Sequence, residues 1–273
     1  MSGVLARIVA AKQAEIQALR ERGPRPNARV RAPLSLTAAL RREQGERLRL
    51  MLEHKRKSPS AGALSTALTP GARALAYARG GAAAISVLTD SQFFDGSYDH
   101  VTEIHRTLHR AGSPAPVLAK EFVLDPIQID EAHAAGADAV LLIARLLDPA
   151  TLESLHAYAR RRGLDALVEV HTEAEAEHAS RFAWLIGVNA RDLDSLVMDV
   201  ERAHGILVSF APEIVSVHLS GLSTPEAVHR LAEGPAAAAL VGEVLMREDD
   251  PAAKLASLVA ASKPAPSPAP DDD

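Results

Sequence analysis

Short apolar runs recur along the chain, and segments with helical patterns separate them. The runs are rich in Val, Ile, Leu and Ala, and several are apolar throughout instead of alternating with polar residues. Unbroken apolar runs are typical of parallel strands that are covered on both faces. The pattern predicts eight strands, at residues 48–54, 82–90, 116–122, 137–144, 164–170, 183–189, 213–219 and 237–243.

The helical segments between these strands often end in glycine, as helices with a C-terminal cap do. A further amphipathic helix is predicted before the first strand, at about residues 3–20. Eight strand-helix units favour a single (β/α)8 TIM barrel of the α/β class over a doubly wound sheet, which more often has five or six strands. We therefore predict one barrel domain over residues 1–261 with an extra N-terminal helix.

Residues 262–273 read SKPAPSPAPDDD, with proline at almost every second position and an acidic end. Such a segment can form neither a helix nor a core strand, so it predicts a disordered tail.

Composition excludes several classes of protein. The formal net charge of −5 gives no overall electrostatic case for binding nucleic acid. The chain has no cysteine, and its histidines show no HExxH-like spacing, so we expect no disulfide and no protein-ligated metal. No apolar run is long enough to span a membrane, and the N-terminus suits a soluble helix better than a signal peptide. A cytoplasmic protein without membrane contact is the expectation.

Polar side chains stand where several predicted strands end. In a (β/α)8 barrel the carboxyl ends of the strands form the active site, so these side chains should meet at one rim. A single charged residue at a strand end is ordinary solvated surface. Charged residues at the ends of several successive strands indicate a functional site instead. Ammonium and carboxylate groups together can supply a general acid and a general base. The residues are Glu53, Lys55, Lys120, Glu169, Asn189 and Arg191.

The last two strands end differently, in the small residues of SGLSTPE and VGE just before helices. The loops at these positions often bind phosphate in barrels, because bare backbone N–H groups and a helix N-terminus face the anion. Ser58 could add a hydroxyl donor from the first loop. Ordinary strand-to-helix turns are the alternative interpretation. With a charged rim opposite, the pattern favours a small phosphorylated substrate.

Several motifs, taken in order, resemble those of the indole-3-glycerol phosphate synthase family. They include EHKRKSPSAG, AAAISVLTD, PVLAKEF, LVEVHTEAE, IGVNARDL, SGLSTPE and LVGEVLM, and the resemblance extends from the N-terminal helix to Met246. It implies a cofactor-free, decarboxylating and dehydrating ring closure of 1-(2-carboxyphenylamino)-1-deoxyribulose 5-phosphate in tryptophan biosynthesis. A monomer is expected, and association with other enzymes of the pathway stays open.

The resemblance also implies roles for the residues at the rim. Lys120 would be the general acid on the ribulose carbonyl, and Glu169 would assist loss of the hydroxyl. Lys55 would hold the substrate carboxylate, with Glu53 and Asn189 orienting the reacting groups. A lysine among other cations in a dry mouth should have a lowered pKa, as proton donation requires.

Further positions match the family's substrate contacts. On the phosphate side these are Ser58, Ser220, Gly221, Gly242 and Glu243, the last through its backbone N–H. Around the anthranilate ring they are Phe94, Phe122, Leu141, Leu193 and Val241. Core packing is an alternative role for Leu141 and Val241, and Arg191, which matches a family arginine, could instead support its loop by a salt bridge.

Three positions depart from the family pattern. KEF replaces the more usual Lys-Asp-Phe, His54 replaces an aliphatic residue, and Leu219 replaces a glutamate of the seventh strand. Alternation along a strand should turn His54 and His218 away from the barrel interior. Leu219 leaves two alternatives open: a paralogue acting on a modified arylamine in secondary metabolism, and a catalytically weakened binding or scaffold barrel. A phosphoribosylanthranilate isomerase would want a cysteine that this chain lacks.

Overall fold

The computed structural model describes residues 4–43, 45–58, 62–192 and 197–264. Its eight parallel strands close into a barrel, so the predicted (β/α)8 fold is confirmed. Each predicted run contains one strand: β1 Arg49–His54, β2 Ala84–Leu88, β3 Val117–Lys120, β4 Ala139–Ile143, β5 Asp165–Val170, β6 Leu185–Asn189, β7 Val215–Leu219 and β8 Ala238–Val241.

Neighbouring strands follow the order of the chain, and β1 closes the ring by pairing with both β2 and β8. Leu52 is the Cα partner of Ile85 on one side and of Val241 on the other. The strand motifs did not predict the short antiparallel hairpin that follows β1, where Lys57–Ser58 pairs with Gly62–Ala63.

The helices surround the barrel, and most begin at a capping residue that precedes the first turn. Thr69, Asp125, Asp148, Thr172 and Thr224 each accept a backbone N–H of the helix that they start. The helices are α1 Val4–Arg22, α2 Leu36–Leu40, α3 Pro70–Arg79, α4 Ser91–Phe94, α5 Tyr98–Arg110, α6 Pro126–Ala135, α7 Pro149–Arg161, α8 Glu173–Ala179, α9 Val200–Ser209, α10 Pro225–Ala232, α11 Glu243–Met246 and α12 Ala252–Ala261.

A 3-10 turn at Ala144–Leu146 follows β4. Helix α1 matches the amphipathic helix expected at about residues 3–20. In the parts of the chain that are described, no helix is long and apolar enough to cross a membrane.

The predicted tail falls mostly outside the described residues, which end at position 264.

Side chains alternate between the barrel interior and the layer beneath the helices, because successive strand residues point to opposite faces. On β1, Leu50 and Leu52 belong to the outer core, whereas Met51 belongs to the interior core. The same alternation places Leu118 and Leu167 inside the barrel. Two residues further along each of these strands, the side chain again faces inward, and this position carries the polar residues predicted above.

The segment before β1 spans the height of the barrel. Helix α1 lies at the mouth, while α2 places Leu36 and Leu40 in the interior core at the opposite end. Between them, the Arg31 guanidinium binds both oxygens of the buried Asp138 carboxylate, at 2.6 and 2.8 Å. The Asp165 carboxylate accepts the Thr37 N–H at 2.8 Å. These contacts attach α2 to the strands that it closes off.

His54 faces outward as the alternation predicted, and its ring packs edge-on against His100 of α5 at 5.4 Å between centroids. The side chain is buried, and neither ring nitrogen has a hydrogen-bond partner among the described residues. Burial, reinforced by His100 and by the cations Arg56 and Arg73, lowers the pKa of His54 to about 3. His54 is therefore neutral in the folded protein at ordinary pH.

Replacing His54 with leucine should stabilise the fold at acidic pH. The depressed pKa means that the unfolded chain takes up a proton below about pH 6.5 while the folded chain does not, so native stability falls as the pH falls. We expect the change in unfolding free energy caused by His54→Leu to be about 2 kcal/mol more favourable at pH 5 than at pH 8.

Urea denaturation at the two pH values measures this difference. His204→Leu, on the exposed side of α9, is the matched control for the loss of an imidazole ring. An equal effect of His54→Leu at both pH values would contradict the interpretation.

Candidate active site

A cavity of about 560 Å³ opens at the carboxyl ends of the strands. It contains all five residues expected to carry the chemistry: Glu53, Lys55, Lys120, Glu169 and Asn189. They come from β1, β3, β5 and β6 and from the residue just beyond β1. The common rim that the strand ends predicted is therefore present in the structure.

A buried carboxylate lies at the centre of this rim. Glu53 is 2% exposed. Its two oxygens contact two different ammonium groups, Lys55 Nζ at 2.7 Å and Lys120 Nζ at 2.7 Å. Burial alone would raise the pKa of Glu53, but the charges of Lys120 and Lys55 outweigh it and lower the pKa to about 2. Glu53 is thus a fixed anion that aligns two cations.

The same pairing corrects the expectation for Lys120. Burial disfavours its ammonium form, as expected, but the charge of Glu53, followed by that of Glu169, has the larger combined effect and raises its pKa. The sequence places both carboxylates at the same rim as Lys120, but it does not show how closely they approach its ammonium group. Lys120 is therefore held in its protonated form, and the hydrogen bond to Glu53 orients its ammonium group.

Glu169 lies opposite, at the end of β5, and accepts a hydrogen bond from Asn189 Nδ2 at 2.9 Å. Burial raises the pKa of Glu169, and the nearby Lys120 charge and the Asn189 amide only partly offset this effect. Two carboxylates of one cavity thus have opposite pKa shifts. Such a pair can divide the roles of fixed anion and proton carrier.

The residues assigned to phosphate binding also line the cavity: Ser58, Ser220, Gly221, Gly242 and Glu243. Ser220 has a positive φ of 74°, which is unusual for a residue with a side chain and typical of functional loops. Gly221 follows with φ 83°, and a Cβ there would lie 2.4 Å from the Met198 methyl group. A Cβ on Gly242 would lie 2.5 Å from Glu53 Oε1, so glycine permits the close approach of these two strand ends.

Aromatic and aliphatic side chains form an apolar wall. Phe94 and Phe122 lie against each other with ring centroids 6.1 Å apart, and both line the cavity together with Leu141. Val241 does not line the cavity: it belongs to the outer core beneath the helices, because its side chain points outward from β8. Leu240, one residue earlier, points inward and lines the cavity instead.

Of the three remaining predicted positions, one lines the cavity, one lies in the interior core and one falls outside the described residues. Arg191 lines the cavity, and its backbone N–H binds Asn189 Oδ1 at 2.9 Å. Leu219 is not among the lining residues; it is 2% exposed in the interior core, where a Cβ on Gly187 would lie 2.6 Å from its Cδ1 atom. Leu193 lies outside the described residues.

Sequence reasoning also missed the contributions of α1 and of Glu121 to the cavity. Leu5 and Ile8 of α1 line it, so the N-terminal helix is part of the site. Their spacing of three residues on an amphipathic helix was visible in the sequence, but nothing in it showed which surface the helix covers. Glu121, next to Lys120, also lines the cavity.

A sequence profile described as indole-3-glycerol phosphate synthase matches residues 5–258. The chain belongs to this family. A protein named indole-3-glycerol phosphate synthase from Desulfotalea psychrophila is 42% identical over 253 residues, which cover 90% of this chain and 95% of that protein. One of the same name from Polaromonas naphthalenivorans is 38% identical over 265 residues, covering 94% of this chain and 99% of its own. The family is one of decarboxylating lyases of tryptophan biosynthesis.

Solved structures with similar folds support the architecture alone, since their sequence identities are low. Thiamine phosphate pyrophosphorylase from Pyrococcus furiosus superimposes with a TM-score of 0.60 at 18% identity, covering 79% of this chain and 95% of that one. Tryptophan synthase subunit alpha from Legionella pneumophila gives a TM-score of 0.58 at 16% identity, covering 79% of this chain and 92% of that one.

Replacing Glu53 with glutamine should change the pH dependence of this synthase-family site. Without the carboxylate, burial would dominate and lower the pKa of Lys120, so the alkaline limb of the activity profile should move down by about one pH unit or more. Turnover should also fall, by about a hundredfold, because the two lysines lose their alignment.

The measurement is kcat against pH for the wild type, Glu53→Gln and a control. Glu173→Gln removes an exposed carboxylate from the first turn of α8 and should leave the profile unchanged. An alkaline limb that stays in place in Glu53→Gln would show that Glu53 does not hold the Lys120 proton.

Proposed function

We propose that this chain converts 1-(2-carboxyphenylamino)-1-deoxyribulose 5-phosphate into indole-3-glycerol phosphate, with release of carbon dioxide and water. The observation that carries the proposal is the pairing of Lys120 with Glu53 in a cavity that also contains Glu169. Family membership identifies the type of reaction, and the arrangement of side chains suggests how its steps are divided.

The substrate's two ends suit the two sides of the cavity. Its phosphate would lie against the loops after β7 and β8. Ser220 and Gly221 offer a hydroxyl and backbone N–H groups there, and Gly242 and Glu243 also line the cavity. Helix α11 is a single turn, so these loop amides, more than a helix dipole, would bind the anion. The anthranilate ring would lie against Phe94, Phe122 and the apolar side chains near them.

Ring closure joins the carboxylate-bearing ring carbon to the ribulose carbonyl carbon. Lys120 would donate a proton to the carbonyl oxygen as the new bond forms, and Lys55 would hold the substrate carboxylate until it leaves as carbon dioxide. Since the pKa of Lys120 is raised, its main contribution is a charge-assisted hydrogen bond to the developing oxyanion, with proton transfer completed as the oxygen becomes more basic.

Loss of water completes the aromatic ring. The hydroxyl made in the first step must leave, and Glu169 is the group whose raised pKa lets it hold a proton for transfer to that oxygen. Asn189 keeps the Glu169 carboxyl oriented through its 2.9 Å hydrogen bond. Glu53 stays ionised throughout and holds both lysines in place.

The position of Leu219 favours the ordinary family substrate over a modified arylamine. Its side chain lies in the interior core and does not line the cavity, so a group added to the ring would not meet it there. We further propose that the enzyme works in the cytoplasm as a monomer. Sedimentation at assay concentration tests the monomer.

Replacing Lys120 with alanine should abolish ring closure and leave phosphate binding intact. The lysine acts on the carbonyl, and acid catalysis of this kind contributes about 10²–10⁴-fold to rate. The residues assigned to the phosphate follow β1, β7 and β8, whereas Lys120 ends β3. The assay follows indole fluorescence and carbon dioxide release, together with the inhibition constant of inorganic phosphate.

Lys254→Ala, which removes a half-buried lysine from α12, is the control and should behave as the wild type. Near-normal turnover in Lys120→Ala would overturn the assignment of the general acid. A wild-type protein that releases no carbon dioxide from this substrate would overturn the proposed reaction itself.

A further inference from the structure

Helix α1 forms part of the wall of the cavity, although it precedes the barrel in the chain. Leu5 and Ile8 line the cavity, and Lys12 lies one turn beyond Ile8, so the three residues lie along one side of the helix. The reactions assigned above do not use Lys12. Its side chain is nevertheless completely buried, with 0% exposure.

Lys12 contacts carboxylates from two barrel strands. Its ammonium lies 2.6 Å from Asp90 Oδ2, just beyond β2, and 2.9 Å from Glu121 Oε1, just beyond β3. A third carboxylate, the half-exposed Glu15 of the same helix, lies at 2.7 Å. One cation therefore links α1 to two neighbouring strand ends.

The two barrel carboxylates are themselves buried, so they depend on this cation. Asp90 is 0% exposed, and Glu121 is 5% exposed. Burial disfavours the charged form of Lys12, but Glu121 and Asp90 more than compensate and raise its pKa, which keeps the ammonium charged. Removing one member of a buried ion pair leaves the other charge uncompensated, which is more costly than losing an exposed pair.

Glu121 connects this ion cluster to the reaction. It is the residue next to Lys120, and its carboxylate also accepts Thr89 Oγ1–H at 2.8 Å and the Phe122 N–H at 2.9 Å. The end of β3, from Lys120 to Phe122, is thus oriented by a carboxylate whose charge Lys12 balances. Phe122 is also part of the apolar wall.

We propose that Lys12 is a positioning residue for the reaction. Its ammonium holds α1 against the mouth, so that Leu5 and Ile8 complete the wall. It also stabilises Glu121 in the conformation that orients Lys120 and Phe122. This inference rests on the proposed function only in the choice of substrate, since the ion cluster itself is a feature of the fold.

The experiment compares Lys12→Met with Arg7→Met, which removes an exposed cation from the same helix. Assays are made at a temperature where circular dichroism shows each variant to be folded. For Lys12→Met we expect KM to rise about tenfold or more and kcat to fall by a smaller factor, because a wall of the site and the orientation of Lys120 are both lost. Arg7→Met should keep both constants.

Two further variants separate positioning from a general loss of stability. Lys12→Arg keeps the charge between Asp90 and Glu121 and should restore most of kcat/KM. Adding Glu121→Gln to Lys12→Met removes one uncompensated carboxylate, so the double variant should bind substrate better than Lys12→Met alone. A purely structural role would change the melting temperature of the folded protein and leave KM and kcat unaltered.

Binding of the unreactive analogue whose ketone is reduced to an alcohol is measured by calorimetry alongside the kinetics. Weaker analogue binding in Lys12→Met, with the inhibition constant of inorganic phosphate unchanged, supports the inference. Equal analogue binding and equal kinetics in Lys12→Met and Arg7→Met overturn it. Failure of the proposed reaction has a different signature, since the wild-type protein would then show no turnover while the analogue comparison could still be made.

Discussion

The arrangement of the site depends on one buried carboxylate held between two ammonium groups. Glu53 has almost no access to water, so its charge persists only because Lys55 and Lys120 lie 2.7 Å away on either side. In return, Glu53 fixes both lysines and helps keep Lys120 charged. Gly242 belongs to the same arrangement, because any side chain there would displace the Glu53 carboxylate. The loop after β8, assigned to the phosphate, therefore packs directly against the end of β1, which is assigned to the chemistry.

Most of the fold could be predicted from the sequence because the barrel repeats one simple rule. Apolar runs covered on both faces gave eight strands, and alternation along a strand correctly turned His54 outward. The same rule, applied to β8, favours Leu240 over Val241 as the inward-facing residue, whereas the family motif indicates Val241. The motif match located the end of β8 correctly, but it did not show that the Val241 side chain points outward from the barrel.

The parts of the site that escaped prediction depend on contacts between distant segments. The pKa of Lys120 is raised because Glu53 and Glu169 face it from strands far away in the chain, and their distances cannot be read from sequence. The contribution of Leu5 and Ile8 to the cavity likewise depends on where α1 docks. An amphipathic pattern shows that a helix has a buried side, and only the tertiary structure shows what that side covers.

The segment that connects α1 to α2 has a consequence for how the chain acquires its structure. Within this segment Arg31 binds Asp138, which lies 107 residues further along, and Ser35 binds Asp165 at a separation of 130 residues. During translation this segment cannot make these contacts until the residues that carry both aspartates have emerged. Contacts of such long range slow folding, because chain entropy is lost before they form. The floor and the mouth of the barrel are joined by this one segment, so both would be completed only after its distant partners are in place.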